Sequence, residues 1–327
     1  MELFDSLRFK IVRRNTRIVF PEATDPRILG AAARLKAEEL LEPILIGKES
    51  DIIEAAHARG IKTSNFTIID PDNFDNWDDM VASFVERRKG KVTEDQAQTI
   101  LKDVNYFGTM LTYMGLADGM VSGAIHSTGD TVRPALQIIK TKPGVSRTSG
   151  AFLMVRGRDQ EKYLFSDCAI NVNPNAQELA EIAVDSAKIA ELFDIDPKVA
   201  LLSFSTKGSA KAPEVDKVVE ATRIAKELAP EYMIDGELQF DASYVSSVAQ
   251  LKAPHSDVAG RATVFVFPDL QSGNIGYKIA QRLGNFEAIG PILQGLNKPV
   301  SDLSRGANEE DVYKLSIITA AQSLLNG

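Results

Sequence analysis

The chain has 327 residues, of which 44% are hydrophobic and 25% are charged. This length predicts about two α/β domains rather than one small core. Lys and Arg number 37 against 45 Asp and Glu, and the net charge of -8 argues against nucleic-acid binding through overall electrostatics. The single cysteine excludes an intramolecular disulfide, and the three histidines lack the spacing of metal ligands. These features lead us to expect a protein of the reducing cytoplasm. No apolar run approaches the ~20 residues of a membrane helix, so we expect no membrane contact.

The first part of the chain alternates short apolar runs with helical patterns. Strands are predicted at residues 17–20, 43–47, 66–69 and 119–123. Helices are predicted from Asp25-Pro26 to Pro43, and over residues 51–59, 81–88 and 93–104. Proline at the first position of a helix is favourable, which fixes the start of the first of these helices at Pro26. Such alternation is typical of layered α/β domains with parallel sheets.

A second unit begins near Gly144. Residues 151–155 and 163–165 are predicted to form an antiparallel pair joined by a polar turn over residues 157–159. Further strands are predicted at 199–204, 264–267 and 291–293, and helices at 175–193, 215–228 and 276–283, with an amphipathic helix over 309–325 closing the chain. The fold class is therefore α/β with two domains and mainly parallel sheets. A cleft between two such domains is the default place to expect a binding site.

The segment from His126 to Pro134 follows the strand at 119–123 and is the first candidate site. Ligands of open α/β sheets bind beyond the carboxyl ends of strands. The hydroxyls of Ser127 and Thr128, a glycine and Arg133 together suit a phosphate at the start of a helix. The alternative is an ordinary helix cap beside a solvated arginine.

The segment from Ser301 to Asp311 is the second candidate site. Ser304 and Arg305 can donate hydrogen bonds to an oxyanion, and Asp311 can act as a base. The alternative is structural, because acids in a first helical turn complement the helix dipole and Asn308 would be an ordinary cap. The basic run from Glu86 to Lys91 indicates a solvated helix end more than an anion contact.

Cys168 lies beside an apolar strand, and no histidine is near it in sequence. Free cysteine is most often a small buried apolar residue, so this reading is favoured over a nucleophile.

Six segments together resemble the phosphotransacetylases of the phosphate acetyl/butyryltransferase family. They cover residues 126–134, 165–174, 202–210, 235–242, 273–284 and 301–306, and the resemblance spans essentially the whole chain. It implies two three-layer αβα domains of the isocitrate/isopropylmalate dehydrogenase type with an active-site cleft between them. The first domain would comprise residues 1–145 and 295–327, and residues 146–294 would form an inserted second domain. The resemblance also implies a homodimer, no metal and no tightly bound cofactor.

The resemblance implies that an acetyl group moves reversibly between acetyl phosphate and coenzyme A, which is a substrate. The thiolate of coenzyme A would attack the acetyl group of acetyl phosphate directly, while both substrates are bound to the protein. Asp311, Arg305 and Ser304 take the catalytic roles, and Ser127, Thr128, Arg133 and Arg87 take the phosphate-binding roles. Arg88 lies next to Arg87, and Glu309 and Glu310 lie next to the presumed base, which leaves both assignments partly open.

Three alternatives remain from the sequence. A phosphate butyryltransferase would run the same chemistry on a longer acyl chain. A non-catalytic module that senses acyl-CoA is similar to domains found at the C-terminus of some malic enzymes. A dehydrogenase fits least, because no GxGxxG follows a predicted strand.

Overall fold

The structure, a computed structural model, describes residues 3–64, 66–157 and 161–326. The chain divides into two compact units. Unit I comprises Phe4–Thr141 with Leu296–Gly327, and unit II comprises Lys142–Gly295 with Met1–Leu3.

Unit I contains a five-stranded sheet in which every neighbouring pair is parallel. Its strands are β1 (Arg17–Phe20), β2 (Glu42–Ile46), β3 (Thr67–Ile69), β4 (Gly119–Ser122) and β11 (Val300–Asp302), in the order β11-β4-β1-β2-β3. Its helices are α1 (Leu3–Ile11), α2 (Pro26–Ala37), α3 (Glu49–His57), α4 (Trp77–Arg88), α5 (Glu94–Ile100), α6 (Val104–Tyr113), α7 (Thr128–Ile138) and α13 (Glu309–Ser323). The chain thus leaves unit I after α7 and returns to it with β11.

Strand β4 lies inside the unit I sheet, between β11 and β1. All four of its residues are buried, which requires cover on both faces of the sheet. Helices α6 and α13 both contact β4, and α13 also packs on α2. The start of α2 follows the sequence pattern, because Asp25 caps the amide of Arg27 and Pro26 takes the first helical position.

Unit II contains a six-stranded mixed sheet. Its strands are β5 (Ser149–Arg156), β6 (Glu161–Ser166), β7 (Lys198–Leu202), β8 (Met233–Leu238), β9 (Val264–Val266) and β10 (Glu287–Gln294), in the order β10-β5-β6-β9-β7-β8. The β10-β5 and β5-β6 pairs are antiparallel and the remaining pairs are parallel. Its helices are α8 (Ala176–Leu192), α9 (Pro213–Leu228), α10 (Phe240–Tyr244), α11 (Ser246–Lys252) and α12 (Leu270–Leu283).

The α/β class and the mainly parallel sheets predicted from the sequence are confirmed. The antiparallel pair is also confirmed, and most of its predicted turn, at residues 158–159, lies outside the described residues. No helix in the described part of the chain is both long enough and apolar enough to span a membrane.

Several predicted elements need correction. The helix predicted over 93–104 ends at Ile100, and the buried helix α6 follows it. Strands β8 and β11 were not predicted from the sequence. Helix α13 is not amphipathic, because almost every residue from Val312 to Gln322 is buried.

Candidate active site

Two loops of unit I begin side by side at the carboxyl edge of its sheet. Strands β4 and β11 are parallel neighbours, with Asp302 opposite Ser122. The amide of Leu303 donates to the carbonyl of Ser122 over 2.7 Å, which extends this pairing by one residue. The two segments singled out in the sequence therefore leave the sheet next to each other, where open α/β sheets bind ligands.

The loop after β4 ends in the exposed N-terminus of α7. Ser127 is the N-cap residue, and its side chain forms a capping box with Asp130. Ser127, Thr128 and Arg133 are all exposed. A Cβ built on Gly129 would lie 3.5 Å from Nη2 of Arg133, so this guanidinium lies beside the first helical turn. Two hydroxyls, a cation and the positive end of the helix dipole together favour an anion here.

The loop after β11 ends in the N-terminus of α13. Asn308 caps this helix in a capping box with Asp311, whose Oδ2 accepts from the amide of Asn308 over 2.9 Å. Glu309 pairs with Arg59 over 3.0 Å, and Glu310 pairs with Arg34 over 2.5 Å. Among the described residues, no cation pairs with Asp311. Asp311 is therefore the acid of the three that is available for chemistry.

Ser304 and Arg305 lie on the same loop, and both are exposed. The hydroxyl of Ser304 accepts from the amide of Gly306 over 3.2 Å, which orders the turn between them. The backbone carbonyl of Arg305 is held in place, whereas no ion pair engages its guanidinium in the described part of the chain. Both side chains can thus donate to a ligand.

Arg27 connects the two loops, and sequence reasoning did not identify it. Its Nη1 donates to the carbonyls of Arg305 and Ala307 over 3.0 and 2.8 Å. Its Nη2 donates to the carbonyl of Ala124 over 2.8 Å, and Asp25 pairs with the guanidinium. The three carbonyl partners are far from Arg27 in sequence, and only Asp25 is close to it. The one local signal is therefore the position of Arg27 in the first turn of α2.

Glu22 positions the loop after β4, and sequence reasoning did not identify this residue either. Its carboxylate accepts from the amides of Ala124, Ile125 and His126 over 2.8, 2.9 and 2.9 Å. It also contacts Nδ1 of His126 at 2.8 Å. His126 therefore shapes this loop through its contact with Glu22.

A second buried acid, Asp302, lies beneath the N-terminus of α7. It is only 3% exposed. Burial, with a further contribution from the charge of Glu22, raises the pKa of Asp302 to about 6, although the nearby hydroxyls of Thr128 and Thr131 favour its ionised form. A Cβ at Gly123 would lie 2.6 Å from Oδ1 of Asp302, and the φ of this residue is 107°, so glycine is required there.

The structure places Arg87 away from the other predicted site residues. Its Nε and Nη2 donate to the carbonyls of Ile138 and Ile139 over 2.6 and 3.0 Å, at the C-terminal end of α7. This arrangement is typical of a side chain that caps a helix C-terminus. Ser127 and Thr128 lie at the opposite end of the same helix.

The surroundings of Arg88 suit the phosphate contact that the resemblance assigned to Arg87. Its Nε is buried and has no hydrogen-bond partner among the described residues. Burial raises the pKa of Tyr106, and the charges of Arg133 and Arg88 oppose this rise, so both cations lie near the same phenol. An unsatisfied buried cationic donor is costly, which favours an anionic ligand near Arg88.

Cys168 is fully buried in unit II among apolar residues that include Phe165 and Phe267. Burial raises the pKa of its thiol well above the ordinary value. A buried and protonated thiol is a poor nucleophile, which agrees with the structural reading of this residue. Within the described ranges, no group of three or more His, Cys, Asp and Glu residues is placed to hold a metal ion.

Comparison with known proteins identifies the family of the whole chain. The sequence model of the phosphate acetyl/butaryl transferase family matches residues 3–320. A phosphate acetyltransferase of Bacillus subtilis (strain 168) is 60% identical over 323 residues and covers 99% of both chains. The crystal structure of a phosphotransacetylase from Streptococcus pyogenes has a TM-score of 0.97 at 64% identity, covering 99% of this chain and 98% of that one.

A more distant likeness concerns the fold alone. A proposed 4-hydroxythreonine-4-phosphate dehydrogenase from Salmonella typhimurium is 14% identical with a TM-score of 0.50, covering 94% of this chain and 99% of that one. The dehydrogenase-like architecture expected from the sequence is therefore confirmed. The resemblance stated from the six sequence segments is also confirmed, since the family model and the curated relatives span nearly the whole chain. This chain belongs to the phosphate acetyl/butaryl transferase family.

Proposed function

We propose that this protein is a transferase that moves an acetyl group reversibly between acetyl phosphate and coenzyme A. The observation that carries the proposal is the pairing of two loops on neighbouring strands of unit I. One presents Ser127 and Thr128 at a helix N-terminus, and the other presents Arg305 and Asp311. Two similar proteins are named phosphate acetyltransferase, which supports acetyl rather than butyryl as the transferred group. A non-catalytic sensing module would not need a base and an oxyanion donor together.

In the forward direction, Asp311 takes the proton from the thiol of coenzyme A. A thiol has a pKa of about 8.5, so a nearby carboxylate raises the thiolate fraction at neutral pH. The sulfur forms a bond to the acetyl carbon, and the bond from that carbon to the phosphate oxygen then breaks. Ser304 and Arg305 donate to the carbonyl oxygen as it becomes negative, while Ser127, Thr128 and Arg133 hold the leaving phosphate.

Exchange of labelled phosphate into acetyl phosphate tests both the activity and this direct transfer. With coenzyme A present, label should enter acetyl phosphate, because both directions of the reaction run. Without coenzyme A, no label should enter, because no acyl-enzyme forms. Exchange without coenzyme A would overturn direct transfer, and no exchange with it would overturn the proposed activity.

We also propose that Arg88, rather than Arg87, contacts the substrate. The Arg88→Ala variant should lose about 10- to 100-fold in kcat/KM, the usual cost of a charged hydrogen bond to an anion. The Arg87→Ala variant should keep the wild-type kcat/KM but have a lower Tm, because it removes the side chain that caps the C-terminal end of α7. Steady-state kinetics and thermal unfolding of both variants provide the comparison. The reverse pattern would return the substrate role to Arg87.

The chain is further proposed to form a homodimer through α12. Ile275, Ile279 and Leu283 recur every four residues on this helix and are 57%, 53% and 80% exposed. Such an apolar stripe suits a second copy of the same helix.

The Ile279→Glu variant should sediment as a monomer, because it buries a charge in this interface. Gln281→Glu adds the same charge on the other side of α12 and should remain dimeric. A dimeric Ile279→Glu variant would place the interface elsewhere.

A further inference from the structure

Asp302 is a buried acid that the proposed mechanism does not use. It ends strand β11, and its side chain is almost completely removed from solvent. Its Oδ1 has no hydrogen-bond partner of normal geometry among the described residues. A buried carboxylate in this state is unfavourable unless it binds a proton or acquires a partner. The position of Asp302 therefore requires an explanation.

The neighbours of Asp302 connect it to the proposed phosphate site. The hydroxyls of Thr128 and Thr131, both on α7, lie next to its carboxyl group. Oγ1 of Thr131 is buried and is also without a partner of normal geometry. Thr128 is exposed at the first turn of α7, where an anion is expected. The hydroxyl of Thr128 is therefore close both to Asp302 and to the turn where an anion is expected.

Glu22 and Asp302 are two buried acids with different surroundings. Glu22 accepts hydrogen bonds from three backbone amides and contacts His126, a set of partners that suits a carboxylate. Asp302 accepts from no backbone amide among the described residues, and the charge of Glu22 disfavours its ionised form. A buried acid with so few hydrogen-bond donors, next to a second acid, favours its protonated form.

We propose that Asp302 is a positioning residue that binds a proton when an anion occupies the first turn of α7. This inference rests on the proposed function of that turn. As a neutral acid, Asp302 no longer repels the anion. Its O–H then donates to the hydroxyl of Thr128 or Thr131. The hydroxyl of Thr128 is thereby free to donate its own hydrogen to the anion instead of to Asp302.

Other charged groups face this corner and enter the design of the test. They are Glu22 and Arg27 from the segment after β1, and His126, Asp130 and Arg133 from the start of α7. His126 contacts Glu22 at 2.8 Å and therefore needs a control of its own. Asp130 carries a pKa that Ser127 holds below its ordinary value, so its charge stays constant from mildly acidic to mildly basic pH.

Sulfate is a suitable probe, because it keeps its charge of two across this pH range. Its binding is measured by calorimetry on the whole protein and by competition with phosphate. Wild-type affinity should fall about tenfold per pH unit above about pH 6, because binding then requires uptake of one proton. The Asp302→Asn variant should bind more tightly than wild type at pH 8 and should lose this slope. Proton uptake, read from buffers of different ionisation enthalpy, should disappear in the variant.

Two controls separate Asp302 from its neighbours. Asp130→Asn should keep the wild-type slope, and His126→Gln should also keep it, if Asp302 is the group that binds the proton. A slope that survives in Asp302→Asn, or disappears in His126→Gln, would overturn the inference while leaving the anion site in place. If folded wild-type protein binds neither sulfate nor phosphate, the proposed anion site itself fails and the inference fails with it. Thermal unfolding verifies that each variant is folded.

Discussion

Replacing Asp311 by asparagine should lower kcat about 10²- to 10⁴-fold, the usual contribution of a general base. The variant keeps the helix start intact, because the asparagine side-chain oxygen can still accept from the amide of Asn308. Loss of rate would then report the missing base rather than a damaged α13. The measurement is steady-state thioester formation, accompanied by thermal unfolding.

The same helical turn supplies matched controls for this prediction. Glu309 and Glu310 are already engaged by Arg59 and Arg34. Glu309→Gln and Glu310→Gln should therefore stay within about twofold of wild-type kcat, as expected for surface changes outside the chemistry. If either of them loses more rate than Asp311→Asn, the base has been assigned to the wrong acid.

Replacing Arg305 by alanine should lower kcat about 10²- to 10³-fold, the usual cost of removing one donor to a developing oxyanion. The loop should persist in this variant, because Arg27 holds the carbonyl of residue 305 rather than its side chain. KM for acetyl phosphate should change less than kcat, since the interaction is strongest in the transition state.

A second arginine provides the control for this loss. Arg223 is exposed on α9 and pairs with Glu220 and Glu227. Arg223→Ala removes one cation and two surface ion pairs, which contribute little stability, so its kcat should match wild type. A kcat loss in Arg305→Ala no larger than that in Arg223→Ala would exclude the oxyanion role.

The sequence predicted elements well where local physics determines them. The first turn of α2 follows from Asp25 and Pro26, and the start of α13 follows from Asn308 and Asp311. The antiparallel pair of unit II is visible because its two apolar runs are separated by a short polar segment. In these places, capping and patterning act over a few residues and need no tertiary information.

Helix α6 was missed because its buried polar residues hide its helical pattern. The hydroxyl of Thr109 donates to the carbonyl of Asn105, and that of Thr112 donates to the carbonyl of Gly108. These bonds satisfy the hydroxyls inside the helix, so such residues can be buried. Gly108 permits close approach, since a Cβ there would lie 2.9 Å from a Val19 side-chain atom.

The candidate site was predicted only in part, for a similar reason. Ser127, Thr128, Arg133, Ser304, Arg305 and Asp311 were all singled out, and the structure places them in unit I. Glu22, Arg27 and Asp302 were missed, because their partners lie on other loops and no spacing signal marks them. The choice between Arg87 and Arg88 also depends on tertiary contacts, since both residues end the same helix.

The proposed acetyl transfer is best measured as thioester formation by the purified wild-type protein. Coenzyme A is supplied with acetyl phosphate in one assay and with butyryl phosphate in a matched second assay. We expect rapid turnover with acetyl phosphate and a kcat/KM at least about tenfold lower with butyryl phosphate, because one methylene already changes selectivity by about 1–3 kcal/mol. A preference for butyryl phosphate would move the chain to the longer-acyl branch of its family. Absence of turnover by folded protein with either substrate would show that the chain is not an acyltransferase of this kind.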